Sequence, residues 1–315
     1  MAILLTGSNG FVGSALRELL IKKQTYVRCV VRVLNSGRSA KNEFVVDNLS
    51  SQTDWTSALR GIKQVVHLAA RVHVMNDTSL DPLAEFRRVN VEGTCNLARQ
   101  AAAAGVRRFV YLSSIKVNGE FTETGCSFTA DDVPAPEDPY GVSKHEAEHL
   151  LRQIASDSGM EVVIIRPPLV YGPGVKANFE SMMGWLFRGV PLPLGALSYN
   201  RRSLVALDNL VDLIVTCLNH PAAANETFLV SDGEDLSTVD LLRRMGAALG
   251  HPARLFHMPP SVLRLGAQLV NKPSIYQRLC GSLQLDIAKT KQLLDWTPPV
   301  SVDEGLLKAA QGFRR

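Results

Sequence analysis

A glycine-rich loop near the start of the chain constrains the fold more than any other feature. Gly7, Gly10 and Gly13 follow an apolar run at residues 2–5 and open a helical pattern at residues 13–22. Glycines permit a tight turn and let backbone amides at a helix N-terminus approach a pyrophosphate. The Gly-x-x-Gly-x-x-Gly spacing is not the commoner Gly-x-Gly-x-x-Gly, so its place in the first strand-to-helix turn is what indicates dinucleotide binding.

Short apolar runs alternate with helical patterns through the first half of the chain. This alternation predicts repeated βαβ units and therefore an α/β fold with a doubly wound parallel sheet of the Rossmann type. The predicted strands cover residues 2–5, 26–31, 44–46, 64–68, 109–112 and 162–165, and the predicted crossover helices cover residues 13–22, 83–104 and 140–158.

The pattern changes after Arg166, where prolines and glycines break the chain into loops and one short helix. Regular patterns return as a strand at residues 204–207, a helix at 210–218, a strand at 227–230 and helices at 239–249 and 261–270. We therefore predict a dinucleotide-binding domain of residues 1–165 plus about 203–230. Residues 166–202 plus 231–315 are predicted to form a smaller, discontinuous C-terminal substrate domain.

Composition limits the functional classes that the chain can belong to. It is 46% hydrophobic and 20% charged, without the run of about 18 apolar residues that a membrane span requires. The net charge of +4 is too mild to indicate nucleic-acid binding. Five cysteines without Cys-x-x-Cys spacing indicate neither a disulfide framework nor a metal site. With no leader pattern after Met1, these properties predict a cytoplasmic protein.

Three residues form a candidate catalytic group. Tyr140 and Lys144 lie four apart at the start of a helix that Asp138 and Pro139 introduce, so their side chains share one face. A nearby ammonium stabilises a phenolate, so we expect Lys144 to lower the pKa of Tyr140, the predicted proton donor. Ser114 follows the strand at 109–112, at the sheet edge where ligands bind in open α/β folds. Its hydroxyl is expected to hold the substrate oxygen.

The end of the second predicted strand bears on the choice of cofactor. NAD sites usually place an acid there to bind the ribose hydroxyls, whereas this strand runs into Arg32. A planar guanidinium suits a 2′-phosphate, so the sequence favours NADP(H) over NAD(H). Asp47, just past the third strand, is a candidate partner for the adenine amino group or a turn residue.

Six motifs together resemble the extended short-chain dehydrogenase/reductases over essentially the whole chain. They are Thr6-Gly7-x-x-Gly10-x-x-Gly13, His67-Leu68-Ala69-Ala70, Asn90-Val91-x-Gly93-Thr94, Ser113-Ser114, Tyr140-x-x-x-Lys144 and Arg166-Pro167. The resemblance implies that Ser114, Tyr140 and Lys144 are the catalytic triad and that the C-terminal domain binds a nucleotide sugar. Asn118 departs from this pattern, which often has a tyrosine before the glycine at position 119.

The motifs and the strand ends together define a predicted cofactor site and a predicted substrate site. The predicted cofactor-binding residues are Gly7, Asn9, Gly10, Phe11, Val12, Gly13, Arg32, Asp47, Asn48, Leu68, Ala69, Ala70, Asn90, Tyr140, Lys144 and Pro167. By the resemblance, Asn178, Arg202 and Arg278 meet the diphosphate of a UDP-sugar. Arg71 is a candidate contact for the sugar, beside Ser114 and Tyr140. Family members commonly form homodimers, which the resemblance implies here as well.

Within that family, residues 69–75 and 166–179 resemble bacterial UDP-N-acetylquinovosamine dehydrogenases. The resemblance implies NAD(P)H-dependent reduction of the C4 ketone of a UDP-4-keto-6-deoxy-N-acetylhexosamine. The product is UDP-N-acetylquinovosamine or its 4-epimer, made for surface polysaccharide such as O-antigen.

Other functions on the same fold remain open. A UDP-sugar 4-epimerase uses the same triad with a retained NAD, and Arg32 counts against it. A non-catalytic dinucleotide sensor is a further alternative, against which the intact triad counts. A 4,6-dehydratase is disfavoured because Ile115 and Lys116 stand where such enzymes present an acid pair.

Overall fold

A seven-stranded parallel sheet forms the centre of the protein. The computed structural model describes residues 2–33, 42–72, 81–123, 125–269 and 273–313, without the side chains of residues 266–267, 273–275 and 278. The strands are β1 Ala2–Thr6, β2 Tyr26–Val31, β3 Glu43–Val45, β4 Gln64–His67, β5 Arg108–Leu112, β6 Glu161–Arg166, β7 Leu169–Tyr171, β8 Leu204–Ala206 and β9 Thr227–Leu229. The main sheet has the order β3-β2-β1-β4-β5-β6-β9, and β7 pairs with β8 in a separate parallel ribbon.

Twelve helices within the described residues cover the sheet and build the rest of the protein. They are α1 Phe11–Lys22, α2 Thr56–Leu59, α3 Pro82–Phe86, α4 Thr94–Ala103, α5 Pro139–Ser158, α6 Ala177–Phe187, α7 Leu207–Asn219, α8 Thr238–Leu249, α9 Pro260–Leu269, α10 Pro273–Cys280, α11 Ala288–Leu294 and α12 Val302–Phe313. The predicted α/β class with a doubly wound parallel sheet is confirmed.

Each face of the sheet carries its own hydrophobic core. On one face, Leu16 of α1 and Ile214 of α7 are fully buried against the strands. On the other face, Leu97 of α4 and Leu151 of α5 are equally buried. Because both faces are covered, the central strands read as continuous apolar runs rather than as alternating patterns. All seven strands of the main sheet are parallel, so the loops that follow them lie at one edge of the sheet.

A third core lies between α6, α8 and α12, outside the main sheet. Phe179 of α6 and Leu306 of α12 are buried in it, and Phe11 at the start of α1 packs against both this core and the first one. Trp296 belongs to the first core, where its indole nitrogen donates a hydrogen bond to Asp212 at 2.9 Å. The exact extents of the two domains stay a prediction.

The helix predicted over residues 83–104 is interrupted. A π-helical segment, Arg87–Gly93, lies between α3 and α4. Asn90 in this segment exchanges hydrogen bonds with the backbone of Arg71, at 2.8 and 3.0 Å, and donates another to the hydroxyl of Ser143. These bonds tie the widened turn to the end of β4 and to α5, a long-range constraint that helical periodicity does not encode.

Candidate active site

The glycine loop between β1 and α1 forms a close-packed cradle. Gly7 has a φ of 70°, and its carbonyl accepts a hydrogen bond from the amide of Gly10 at 2.9 Å. A Cβ atom on Gly7 would lie 2.8 Å from the amide nitrogen of Ala69, after β4. A Cβ atom on Gly13 would lie 2.0 Å from the carbonyl oxygen of Gly7. These glycines therefore allow the strand, the loop and the helix to pack backbone against backbone, which sets the free amides at the start of α1 where a dinucleotide pyrophosphate binds.

Most of the predicted cofactor residues lie in the loops at the same edge of the sheet. Asn9 and Gly10 are exposed in the cradle, while Phe11 and Val12 are half-buried in the first turn of α1. The remaining loops carry the exposed Arg32, Asp47 and Asn48, the half-buried Leu68, Ala69 and Ala70, and the buried Pro167. Asn90 is buried, and its amide group forms hydrogen bonds with Arg71 and Ser143 within the protein.

Tyr140 and Lys144 lie on the first turns of α5, beside the end of β5. The helix begins at Pro139, and the carboxylate of Asp138 caps it by accepting a hydrogen bond from the amide of Gly141 at 2.6 Å. The ammonium of Lys144 donates to the carbonyl of Leu112 at 2.8 Å and lies 5.8 Å from the centre of the Tyr140 ring. Half-buried Ser114 follows Leu112 by two residues, so the loop after β5 and the start of α5 bring these groups to one place.

The net pKa shift of Tyr140 is upward, against the lowering expected from Lys144. Burial raises the pKa of the Tyr140 hydroxyl, and the charge of Asp138 raises it further. Burial also lowers the pKa of Lys144 to about 7, although the nearby Glu148 carboxylate opposes that shift. The ammonium points at a backbone carbonyl and lies 4.5 Å from the centre of the Tyr111 ring, so desolvation outweighs its attraction to a phenolate.

A buried ionic network supports the catalytic residues, and sequence analysis missed it. Glu148, one turn after Lys144 on α5, accepts hydrogen bonds from Arg166 at 2.6 and 2.9 Å and from the Ser113 hydroxyl at 2.5 Å. Arg166 also donates to the side-chain oxygen of Asn118 at 2.9 Å. The network joins α5 to the ends of β5 and β6, directly beside Ser114. The signal was available in sequence, since an acid four residues after Lys144 shares its helix face.

A neutral histidine fixes the neighbouring strand ends. His67 is fully buried, with its two ring nitrogens hydrogen-bonded to the hydroxyls of Thr6 at 2.7 Å and Thr94 at 2.9 Å. Burial lowers its pKa to about 3, and the charge of Lys144 contributes to that shift. The Thr6 hydroxyl also accepts a hydrogen bond from the amide of Ala69, so this network holds the floor of the glycine cradle.

Arg71 and Phe86 line the approach to Tyr140. The guanidinium carbon of Arg71 lies 5.6 Å from the centre of the Phe86 ring, which meets the Tyr140 ring in an edge-on contact at 6.0 Å. Arg71 is thus placed near the candidate catalytic group, as a sugar contact must be. Phe86 was not predicted, because nothing in its sequence pattern distinguishes it from an ordinary core residue.

The predicted diphosphate residues come from three separate segments. Asn178 is exposed in the first turn of α6. Arg202 donates to the carbonyl of Gly281 at 3.0 Å, and its backbone forms bridges with Leu236 and Leu283. Arg202 is therefore held just after α10, the helix that carries Arg278. The side chain of Arg278 lies outside the described part of the structure, as do residues 73–75 of the narrower resemblance.

The doubly wound sheet, the glycine cradle and the Tyr-x-x-x-Lys pair together define a short-chain dehydrogenase/reductase. More narrowly, the chain belongs to the NAD dependent epimerase/dehydratase family, whose sequence profile matches residues 3–231. A Vibrio cholerae protein named UDP-glucose 4-epimerase is 50% identical over 99% of this chain and 95% of its own length. A protein of the same name from Mycolicibacterium smegmatis is 31% identical over 100% of this chain and 99% of its own length.

A solved structure gives a similar result. MoeE5 in complex with UDP-glucuronic acid and NAD superposes with a TM-score of 0.79 at 26% identity, covering 100% of this chain and 99% of MoeE5. The family is thus NAD-dependent, and the predicted preference for NADP(H) at Arg32 finds no support. These relatives also favour the epimerase alternative over the C4 reductase that sequence analysis placed first.

The depressed pKa of Lys144 makes a prediction about stability. Between a folded pKa of about 7 and an unfolded value near 10.4, the unfolded lysine holds a proton that the folded one has lost, so stability rises with pH. From pH 7 to pH 9 this adds about 2 kcal/mol to the free energy of unfolding. Lys144→Met should lack this rise in the free energy of unfolding, because methionine does not titrate. Urea denaturation of both cofactor-free proteins at several pH values measures the difference, and identical pH dependence would show that Lys144 stays charged.

Proposed function

We propose that this protein is a UDP-sugar 4-epimerase that keeps NAD bound through the reaction. The observation that carries the proposal is the 50% identity, over 99% of this chain, with the Vibrio cholerae protein named UDP-glucose 4-epimerase. The glycine cradle supports it, because Gly7 and Gly13 let the turn after β1 pack closely on Ala69 and on itself, which sets the N-terminal amides of α1 at the place of a pyrophosphate. We assign the nicotinamide cofactor to this cradle and to the loops after β2, β3 and β4.

The proposed chemistry uses Tyr140 to move one proton in both directions. Bound NAD would supply reversible hydride chemistry at sugar C4. Tyr140 takes the proton of the C4 hydroxyl as that carbon is oxidised and returns it when the ketone is reduced from the other face, so no net redox change results. Ser114 orients the C4 oxygen by hydrogen bonding, and Lys144 lies 5.8 Å from the centre of the Tyr140 ring, where it adds positive charge when it is protonated.

The raised pKa of Tyr140 matters for this role. Burial keeps the hydroxyl protonated at neutral pH, whereas the oxidation step needs a base. Additional positive charge next to the ring lowers the pKa of a phenol, and an oxidised nicotinamide carries such a charge. We therefore propose that Tyr140 gains its basicity when the oxidised cofactor is bound, and Arg71, Asn178, Arg202 and Arg278 are the proposed sugar and diphosphate contacts. A homodimer stays a prediction.

Incubation with UDP-glucose or UDP-N-acetylglucosamine, without added cofactor, tests the proposal. We expect interconversion with the corresponding galacto sugar, detected by chromatography, and no accumulation of reduced nicotinamide. Tyr140→Phe should lower the turnover rate by roughly 10²–10⁴-fold while tightly bound NAD is retained, because one proton-transfer group is removed. Tyr26→Phe is the matched control, since Tyr26 is 45% exposed on β2 and is expected to leave turnover unchanged.

Other outcomes of the same assay distinguish the competing functions. Consumption of NADH or NADPH with UDP-4-keto-6-deoxy-N-acetylglucosamine, together with no interconversion of UDP-hexoses, would replace the epimerase by the C4 reductase. Cofactor binding without turnover of any UDP-sugar would favour the dinucleotide sensor. Full activity of Tyr140→Phe would refute the proposed role of Tyr140.

A further inference from the structure

Helix α9 presents an apolar face to solvent. Val262, Leu265 and Leu269 follow one another at helical spacing and are 49%, 58% and 80% exposed. Ser261, Arg264 and Gln268 lie beside this strip and are exposed as well, while Leu263, on the far side of the helix, is half-buried and packs against the third core. An amphipathic helix normally leaves only polar residues in solvent, whereas α9 exposes an apolar strip in addition to the side that packs on the core. Such a helix requires another apolar environment to cover it.

The exposed side of α9 continues into an apolar groove. Val262 and Leu263 of α9 line it together with Trp185 of α6 and Val190, which lies three residues after α6 ends. Trp185 and Val190 are 41% and 38% exposed, although large apolar side chains of this kind are normally buried. We call these residues, together with Leu265 and Leu269, the α9 face. It is larger than the isolated exposed side chains found on most proteins.

Apart from Glu180 in the first turn of α6, the segments that build the α9 face carry basic charge and no acidic charge. Residues 181–207 and 241–285 contain nine lysines and arginines and not one aspartate or glutamate, although Arg244 pairs with Glu234 and Asp303, and Arg202 and Arg278 are the proposed diphosphate contacts. The rest of the chain carries 25 basic and 30 acidic residues. The excess positive charge of the protein therefore lies in these two segments, while the remainder is net negative. Arg254 is exposed beside the groove, with its guanidinium close to Gly189, and Arg264 is exposed on α9 itself.

We propose that the α9 face docks on the surface of an anionic phospholipid bilayer. Apolar side chains on one side of a surface helix enter the acyl boundary, and flanking arginines bind anionic headgroups. Within the described residues, no helix is long and apolar enough to cross a membrane. The charge argues against self-association through this face, because two copies would bring like charges together.

Trp185 provides a direct readout of docking. Of the three tryptophans, Trp55 and Trp296 are 0% and 4% exposed, so Trp185 is the one that solvent or lipid reaches. On vesicles of phosphatidylcholine and phosphatidylglycerol in equal amounts, we expect its emission to shift to the blue and brominated acyl chains to quench it. Phosphatidylcholine vesicles alone should give a much smaller effect, and added salt should weaken binding to the mixed vesicles.

Substitutions on α9 separate docking from folding. The double variant Leu265→Glu with Leu269→Glu should lower vesicle affinity at least about tenfold in co-sedimentation, because it places acids where apolar contact is needed. Ile21→Glu on α1 is the matched control, since Ile21 has the same 58% exposure as Leu265, and it should bind vesicles as the unmodified protein does. Both variants should keep the unmodified melting temperature and activity in vesicle-free solution.

Three results would overturn the proposal. One is an unchanged Trp185 emission on anionic vesicles, and another is equal binding to neutral and anionic vesicles. The third is unaltered vesicle binding by the Leu265→Glu, Leu269→Glu variant. If that variant instead changes the mass of the protein in sedimentation without vesicles, while vesicles fail to bind, the α9 face is a contact between copies of the chain.

Discussion

Glu148→Ala is expected to lower the free energy of unfolding by about 3–5 kcal/mol, because it leaves the buried guanidinium of Arg166 without its carboxylate. The side chains of Glu148 and Arg166 are 0% and 2% exposed, and their two hydrogen bonds are 2.6 and 2.9 Å long. Both side chains lie out of contact with solvent, so the guanidinium that remains is poorly screened. Urea denaturation measures the change, and the Ser113 hydroxyl loses its acceptor in the same variant.

Two further variants show whether the cost comes from the buried charge. Glu146→Ala, on the same helix, breaks an ion pair with Arg87 whose side chains are 30% and 48% exposed, so it should cost no more than about 1 kcal/mol. The double variant Glu148→Met with Arg166→Met removes both charges and should recover most of the stability lost in Glu148→Ala. Equal losses for the Glu148 and Glu146 variants would contradict the prediction.

The same network also reaches the catalytic chemistry. The carboxylate of Glu148 raises the pKa of Lys144, against the stronger effect of burial. Glu148→Gln keeps the size of the side chain and removes its charge, so the pKa of Lys144 should fall further below its usual range. A shift of the pH–rate profile to lower pH is therefore expected, and a variant that merely loosened the fold would lose activity without that shift.

The sheet was predictable because its strands satisfy local rules. Apolar runs such as β4 and β5 are short, continuous and separated by helical patterns, which is how a parallel sheet buried on both faces reads in sequence. The glycine loop was predictable for the same reason, since its position after β1 and before α1 is set by residues close in the chain. Pairing of β9 with β6, by contrast, joins segments that are 61 residues apart between Arg166 and Thr227.

The parts of the site that were missed depend on long-range contacts. The π-helical segment exists where Asn90 meets the backbone of Arg71, and Phe86 matters because it lies between Arg71 and Tyr140. The pKa of Tyr140 was predicted in the wrong direction because spacing gives the distance to Lys144 but not the degree of burial. Desolvation is a property of the whole fold, and no local pattern reports it.

The choice between epimerase and reductase illustrates a further limit. Ser114, Tyr140 and Lys144 perform the same proton and hydride chemistry at C4 in either reaction, so the triad defines the reaction type and not the net outcome. The outcome depends on whether the cofactor stays bound and whether the ketone can present both faces. Arg32 was the one residue weighed on that question, and it lies exposed at the end of β2, where the relatives lend no support to a phosphate-binding role.

Gly13→Ala is expected to abolish retention of NAD and to lower the free energy of unfolding by at least about 3 kcal/mol, beyond the usual cost of overpacking. The added Cβ atom would lie 2.0 Å from the carbonyl oxygen of Gly7 and 2.8 Å from its carbonyl carbon. Both are backbone atoms of a loop held by the Gly10 amide and by packing on Ala69, so relief requires α1 to move away from the cradle.

Two other glycines make the test of Gly13→Ala quantitative. A Cβ atom on Gly10 would lie 3.2 Å from the same Gly7 oxygen, so Gly10→Ala should weaken NAD retention less severely. Gly184 lies within α6, where a Cβ atom would meet only the flexible end of Arg188 at 3.1 Å and Phe313 at 3.9 Å. Gly184→Ala should leave NAD binding intact and, through the roughly 1 kcal/mol helix preference of alanine, keep or raise stability. The measurement is the amount of NAD released per protein molecule on denaturation. We expect it to be highest for Gly184→Ala, lower for Gly10→Ala and lowest for Gly13→Ala. Full retention of NAD in Gly13→Ala would show that the cradle is not the cofactor site.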